Sequence, residues 1–187
     1  MPDGGFSVGN YVEQLSSYCD QHNLQEVHLF GYSMGGYVAL CFACQQPARV
    51  ASILTLATKF DWTVEGAAKE SKLLNPTVIE DKVPKYAAQL AAWHGEHKWR
   101  QLLPAVANMM LALGKDPWLS EPVLSALNIP VQLMVGDNDA MVTIAETQAA
   151  CSAIPKARMA VLPATKHPID ALRSELLLQL MADFWMF

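Results

Sequence analysis

Nowhere in the 187 residues do apolar side chains run on for the roughly 18 positions that a membrane-spanning helix requires. The opening MPDGGFSVGN has neither the basic patch nor the apolar stretch of a secretory leader. No membrane partner is expected, and the expected compartment is the cytoplasm. Basic residues are also scarce: 13 Lys and Arg stand against 18 Asp and Glu, for a formal charge of −5. They are scattered singly and make no stripe that could follow a phosphate backbone, so no nucleic-acid partner is expected. There are four cysteines, Cys19, Cys41, Cys44 and Cys151. Cys41 and Cys44 sit in an apolar helical pattern with no second CxxC and no nearby histidine, which suits buried structural thiols. HExxH is absent. His94 and His97, with Glu96 between them, lack an evident third ligand and read as a solvated helix end, so no metal is expected. There is no internal repeat and no low-complexity segment.

A hydrophobic share of 52% with 17% charged residues suits a chain that buries a real core. Phe6 to His22 reads as an amphipathic helix, with Ser7 as its N-cap and Tyr11, Val12, Leu15, Tyr18 and Cys19 on one face. VHLF (27–30) makes a short strand, MGGYVALCFACQQP a helix stopped by Pro47, and RVASILTLAT a buried parallel strand. From about Lys59 to Leu127 the pattern turns helical and is broken by Pro76, Pro84, Pro104, Pro117 and Pro122. The βαβ order then resumes: the strand PVQLMV, the loop GDNDAMV, a helix opened by a capping box from Thr143 to Glu146, the strand ARMAVLP, a loop around His167, and a last helix ending at Phe187.

One stretch carries chemistry. HLFGYSMGGYVAL, His28 to Leu40, places Ser33 between a strand and a helix, with Gly31 and Gly35 two residues to either side as G-x-S-x-G. A serine lifted clear of a sheet needs a strained backbone, and flanking glycines let the chain pass closely. The hydroxyl is a weak nucleophile until a base takes its proton, which calls for a histidine oriented by a carboxylate. Asp139 follows the strand VQLMV and His167 follows the strand RMAVLP, so a parallel sheet brings both to the edge where Ser33 emerges. Asp137 is the neighbouring alternative to Asp139, as a loop-capping residue. GYSMGG is a poor phosphate loop, since no lysine follows its glycines.

GYSMGG, GDNDAMV and LPATKHPID resemble the nucleophile, acid and histidine segments of the α/β-hydrolase family, in the same order. The resemblance runs from about Phe6 to the end. It implies a parallel sheet of about four strands flanked by helices, with a helical cap inserted between the second and third strands: residues 1–58 and 128–187 as core, 59–127 as cap. It also implies Ser33 as nucleophile, His167 as base, Asp139 as the acid of a G-x-x-D pattern begun by Gly136, and the Met34 backbone N–H as an oxyanion donor. Asp61 stands where some family members keep the acid. Tyr32, Trp62, Trp93, Met109 and Met141 are the candidates for lining an apolar acyl pocket. The activity implied is hydrolysis of a small ester-like substrate, most simply as a carboxylesterase, with no cofactor. A thioesterase, acyltransferase or carbon–carbon hydrolase on the same triad, or a non-catalytic ligand-binding relative, are the alternatives. A serine rather than an aspartate at the elbow argues against the dehalogenase and epoxide-hydrolase members. The family also places several strands before the nucleophile, and a loop after one of them supplies a second oxyanion N–H. Here one helix and a short polar start precede Ser33. The expectation is therefore the C-terminal part of a longer hydrolase, of low activity as it stands, with Val27–Phe30 open along one side to pairing with another copy.

Overall fold

The structure, a computed structural model, describes residues 5–172 and 174–185. They form two compact units, one of residues 5–11 and 61–118, the other of residues 12–60 and 119–185.

The larger unit is built on a four-stranded parallel sheet in the order β1 (Val27–Tyr32), β2 (Val50–Leu56), β3 (Val131–Gly136), β4 (Ala157–Leu162). The two central strands read as continuous apolar runs because both of their faces are covered. All six residues of β3 are buried, and so are six of the seven in β2. The outer strands are partly exposed; among the described residues β1 pairs with β2 alone, and its Phe30 is 37% exposed. β1 is also longer than VHLF alone indicates, since Gly31 and Tyr32 stay in register with Thr55 and Leu56.

Helix α1 (Val8–Gln21) opens under Ser7, whose Oγ accepts from Asn10 N at 3.1 Å. Val8, Val12 and Cys19 are buried as its pattern requires, but Tyr18 is 55% exposed and stacks on His22 instead. Helix α2 (Met34–Gln45) has no polar face, and every residue from Gly36 to Ala43 is buried. It packs on β1 and β2 from the side that carries Thr55. The opposite side of the sheet carries Leu54, Leu56, Met134 and Leu162, covered by Leu176, Leu177, Leu180, Met181 and Phe184 of α9 (Ser174–Trp185). The end of that helix at Phe187 lies outside the described residues. Helix α8 (Ile144–Ala153) starts with the full capping box: Thr143 Oγ1 accepts from Glu146 N while Glu146 Oε2 accepts from Thr143 N.

Between β2 and β3 the chain makes five helices: α3 (Val64–Ser71), α4 (Pro76–Lys82), α5 (Pro84–His94), α6 (Lys98–Lys115) and α7 (Glu121–Ser125). The first four form the smaller unit with residues 5–11; Leu119 onward, with α7, packs with the sheet, where Leu119 N donates to Tyr37 OH. Prolines start α4 and α5, where a missing N–H costs nothing. Ile79, Ala87, Leu90, Trp99 and Leu103 are the core of the smaller unit. Gly114 lets α6 approach α3 closely, since a Cβ there would lie 2.5 Å from the Ala67 methyl.

Candidate active site

β1 ends at Tyr32 and α2 begins at Met34, so Ser33 alone makes the turn, at φ 51° and ψ −118°. A non-glycine residue in that region costs on the order of 1–3 kcal/mol and persists only where its surroundings enforce it. Four bonds do so: Ser33 N donates to Leu56 O at 2.8 Å, and Ser33 O accepts from Gly36 N at 3.1 Å, from Tyr37 N at 3.4 Å and from Thr58 Oγ1 at 3.1 Å. The Ser33 side chain caps none of the N–H groups of α2, which leaves Oγ available to another partner.

The glycines around Ser33 divide the work differently from the G-x-S-x-G reading. A Cβ on Gly31 would lie 2.4 Å from the backbone of Gly36, so the strand end and the helix start touch there. Gly36 is equally tight, with a Cβ 2.0 Å from Thr58 Oγ1. Gly35 faces open space with nothing within 4 Å. The close approach is made by the glycine after the motif, because it is the third residue of α2 that turns back onto Gly31 and Thr58.

Two loops bring the partners. After β3, Asp139 turns its carboxylate inward: Oδ1 accepts from Met141 N at 2.8 Å and from Val142 N at 2.9 Å, and its side chain is 1% exposed. After β4, the segment with His167 passes directly over Gly136, where any Cβ would sit 2.1 Å from Thr165 O. The same segment is tied down by Asp137 Oδ1, which accepts from Thr165 N at 3.2 Å, by Asn138 N, which donates to Thr165 O at 3.1 Å, and by Tyr32 OH, which donates to His167 O at 2.6 Å. Burial, and then the charge of Asp139, push the Tyr32 phenol above its ordinary range, so it stays a donor.

The result is a line of three side chains. Ser33 Oγ lies 3.2 Å from His167 Nε2, and His167 Nδ1 lies 2.8 Å from Asp139 Oδ2 and 3.1 Å from Oδ1. A carboxylate only accepts, so the ring proton belongs on Nδ1 and the Nε2 lone pair faces the serine hydroxyl. Such a line can take a proton from Ser33 and hold the resulting imidazolium beside a buried negative charge. Met34 is the first residue of α2, at the positive end of the helix dipole, where backbone N–H groups have no partner within the helix.

The remaining sequence candidates take other places. Asp137 holds the histidine loop, and Asp61 is exposed in the smaller unit. Tyr32 touches the histidine through its hydroxyl, and its ring centroid lies 5.6 Å from that of His167. Met141 contributes its backbone N–H to Asp139 while its side chain is 44% exposed. Trp62 and Met109 are buried and Trp93 is 63% exposed, all three in the smaller unit. Tyr32 OH and Thr58 are the residues that sequence reasoning missed in these positioning roles; a tyrosine beside the motif serine was the available signal for the first, and nothing marked the second. Among the described residues no three His, Cys, Asp or Glu side chains gather as metal ligands, and no helix is long and apolar enough to cross a membrane. The thiols of Cys41 and Cys44 are raised by burial, that of Cys44 to about 11.

A family model for the alpha/beta hydrolase fold matches residues 2–97. The chain belongs to the α/β hydrolase fold family. A Bacillus subtilis (strain 168) protein named "Putative 2-succinyl-6-hydroxy-2,4-cyclohexadiene-1-carboxylate synthase" is 23% identical over 203 residues, covering 96% of this chain and 73% of its own length. Among solved structures, a thermophilic esterase from Thermogutta terrifontis superposes with a TM-score of 0.72 at 23% identity, over 96% of this chain and 72% of the esterase. The 2-hydroxy-6-oxo-6-phenylhexa-2,4-dienoate hydrolase from Rhodococcus sp. strain RHA1 gives a TM-score of 0.76 at 17% identity, over 96% of this chain and 71% of that hydrolase. At such identities the likeness is one of fold. These relatives carry the names of a synthase, an esterase and a dienoate hydrolase, so the fold leaves the reaction undecided.

Proposed function

We propose that this α/β hydrolase is a serine hydrolase of small ester-like substrates, working through an acyl-enzyme on Ser33. The observation that supports the reading is the strained Ser33, held with its Oγ in line with His167 Nε2 while His167 Nδ1 meets the buried Asp139. Ser33 Oγ attacks the carbonyl carbon as its proton passes to Nε2, and the Asp139 carboxylate stabilises the imidazolium. The Met34 N–H and the start of α2 face the oxygen on which charge develops. Collapse of the tetrahedral intermediate breaks the ester bond, and Nε2 returns the proton to the leaving oxygen. Water, deprotonated at the same Nε2, then releases the acid and restores Ser33.

A fluorophosphonate probe tests the nucleophile directly, since one labelling event suffices even when turnover is slow. Labelling of the 187-residue chain that maps to Ser33 and disappears in Ser33→Ala supports the proposal. A chain that binds ligand but takes no label is the non-catalytic relative instead. A graded series of p-nitrophenyl esters then defines the acyl group.

A further inference from the structure

The smaller unit contains two cavities that adjoin at Phe6 and share one side of α6. The first, of about 310 Å³, is lined by Phe6, Val8, Met109, Leu113 and Trp118, with Asp116 at its end. The second, of about 270 Å³, is lined by Phe6, His94, Lys98, Gln101 and Leu102. On α6, Lys98, Gln101 and Leu102 line one cavity and Asn108, Met109, Ala112 and Leu113 the other; the two sets lie on the same helical face, as a stripe interrupted by one turn, and Asp116 follows the end of the helix. Between Lys98 and Leu113 that stripe runs roughly 22 Å at the rise of an α-helix. Cavities of this size hold small ligands.

The stripe is polarised. Its N-terminal end carries Lys98, with His94 and Gln101 as further donors, at the positive end of an 18-residue helix. Among the described residues no carboxylate pairs with Lys98. The far cavity is mainly apolar, with Met109 and Leu113 buried in its wall beside Phe6, Val8 and Trp118, and with Ser7 and Asn108 as its uncharged polar residues. Asp116 closes the far end and repels a negative group there.

We infer that this groove binds an amphiphile with one carboxylate, its headgroup at Lys98, His94 and Gln101 and its alkyl chain running past Phe6 toward Met109 and Leu113. Charge fixes the class and the direction: a cation is repelled at Lys98, a dicarboxylate meets Asp116, and an uncharged chain leaves Lys98 without a partner. Met109, unbranched and flexible, adapts to a chain of no fixed shape. The inference does not depend on Ser33 acting as a nucleophile.

Calorimetric titration of the Ser33→Ala chain with dodecanoate, below its micelle concentration, tests this without turnover; dodecylamine and dodecanol are the comparison ligands. The expected result is saturable one-to-one binding of dodecanoate, at least about tenfold tighter than dodecanol and dodecylamine, as the loss of a charge-assisted contact implies. Lys98→Glu lowers dodecanoate affinity by about tenfold or more while leaving dodecanol unchanged. Ala112→Trp, which fills the groove at an exposed position of α6, abolishes binding of all three. Equal binding of the acid and the amine, or full dodecanoate affinity in Lys98→Glu or in a folded Ala112→Trp, overturns the inference. Fluorophosphonate labelling reads Ser33 separately, so either proposal can fail alone.

Discussion

The tight packing at the start of α2 makes Gly36→Ala the most informative single change, read against Gly35→Ala one residue earlier. Both put alanine into the first turn of the same helix, where propensity alone favours alanine by up to about 1 kcal/mol. At Gly35 nothing stands within 4 Å of the new methyl, so the expected outcome is a neutral or slightly more stable protein. At Gly36 the methyl would lie 2.0 Å from Thr58 Oγ1, 3.0 Å from Thr55 Cβ and 3.1 Å from Gly31 O. Thr58, 1% exposed, has to turn away and gives up its bond to Ser33 O. Overpacking a core costs about 1–3 kcal/mol and a buried hydroxyl left without its partner a similar amount. With the propensity gain deducted, Gly36→Ala should destabilise by about 1–5 kcal/mol, a fall in Tm of about 2–20 °C for a chain of this size. The elbow loses one of the bonds that hold its positive φ, so fluorophosphonate labelling of the folded variant should slow as well. Thermal unfolding followed by far-UV circular dichroism, with the two variants side by side, is the assay. A Gly36→Ala melt at or above that of Gly35→Ala would refute the close-packing account of the turn.

Four further outcomes are expected. Ser33→Ala and His167→Ala should each abolish ester turnover, and the double variant should be little worse than either, because the pair acts as a unit; near-native hydrolysis by His167→Ala would remove the histidine from the reaction. Asp139→Asn should leave the melt nearly unchanged and lower kcat on the order of ten-thousandfold through the wrong imidazole tautomer, whereas Asp137→Asn, which keeps an oxygen for Thr165 N, should do little; the reverse pattern moves the acid two residues back, and insensitivity at both points to Asp61. Tyr32→Phe removes the 2.6 Å bond to His167 O and should cost about 1 kcal/mol of positioning, read as roughly fivefold in kcat with KM unchanged; an equal rise in KM would instead place the hydroxyl on substrate. Cys41, buried, and Cys44, half-buried, both with thiols pushed upward, should resist a disulfide reagent at pH 8 in the folded chain and react once it is unfolded in urea, since only the thiolate attacks; rapid reaction of Cys41 in the native protein would contradict its burial.

Local pattern was enough for the elements that carry the chemistry. The apolar runs of β2 and β3, the capping box at Thr143 and Glu146, and a serine between a strand and a helix are each written within a dozen residues. Parallel pairing follows from the strand–helix alternation, and with it the arrival of Ser33, Asp139 and His167 at one edge. The sequence alone therefore determined the fold family and brought Ser33, His167 and an aspartate of the loop after β3 to one edge. It did not determine which glycine makes the close contact, because that depends on where α2 meets Thr58, a residue of another strand end. Nor did it separate Asp137 from Asp139: both are aspartates of one loop, and only the fold turns one toward the histidine ring and the other toward the backbone of Thr165. Tyr18 and Phe30 sat on apolar patterns yet are exposed, since periodicity says which residues share a face, and what covers that face is decided by segments distant along the chain. The groove along α6 is of the same kind. Its stripe is periodic in the sequence, but Phe6, more than ninety positions earlier, completes its wall, and that meeting is a fact of tertiary structure.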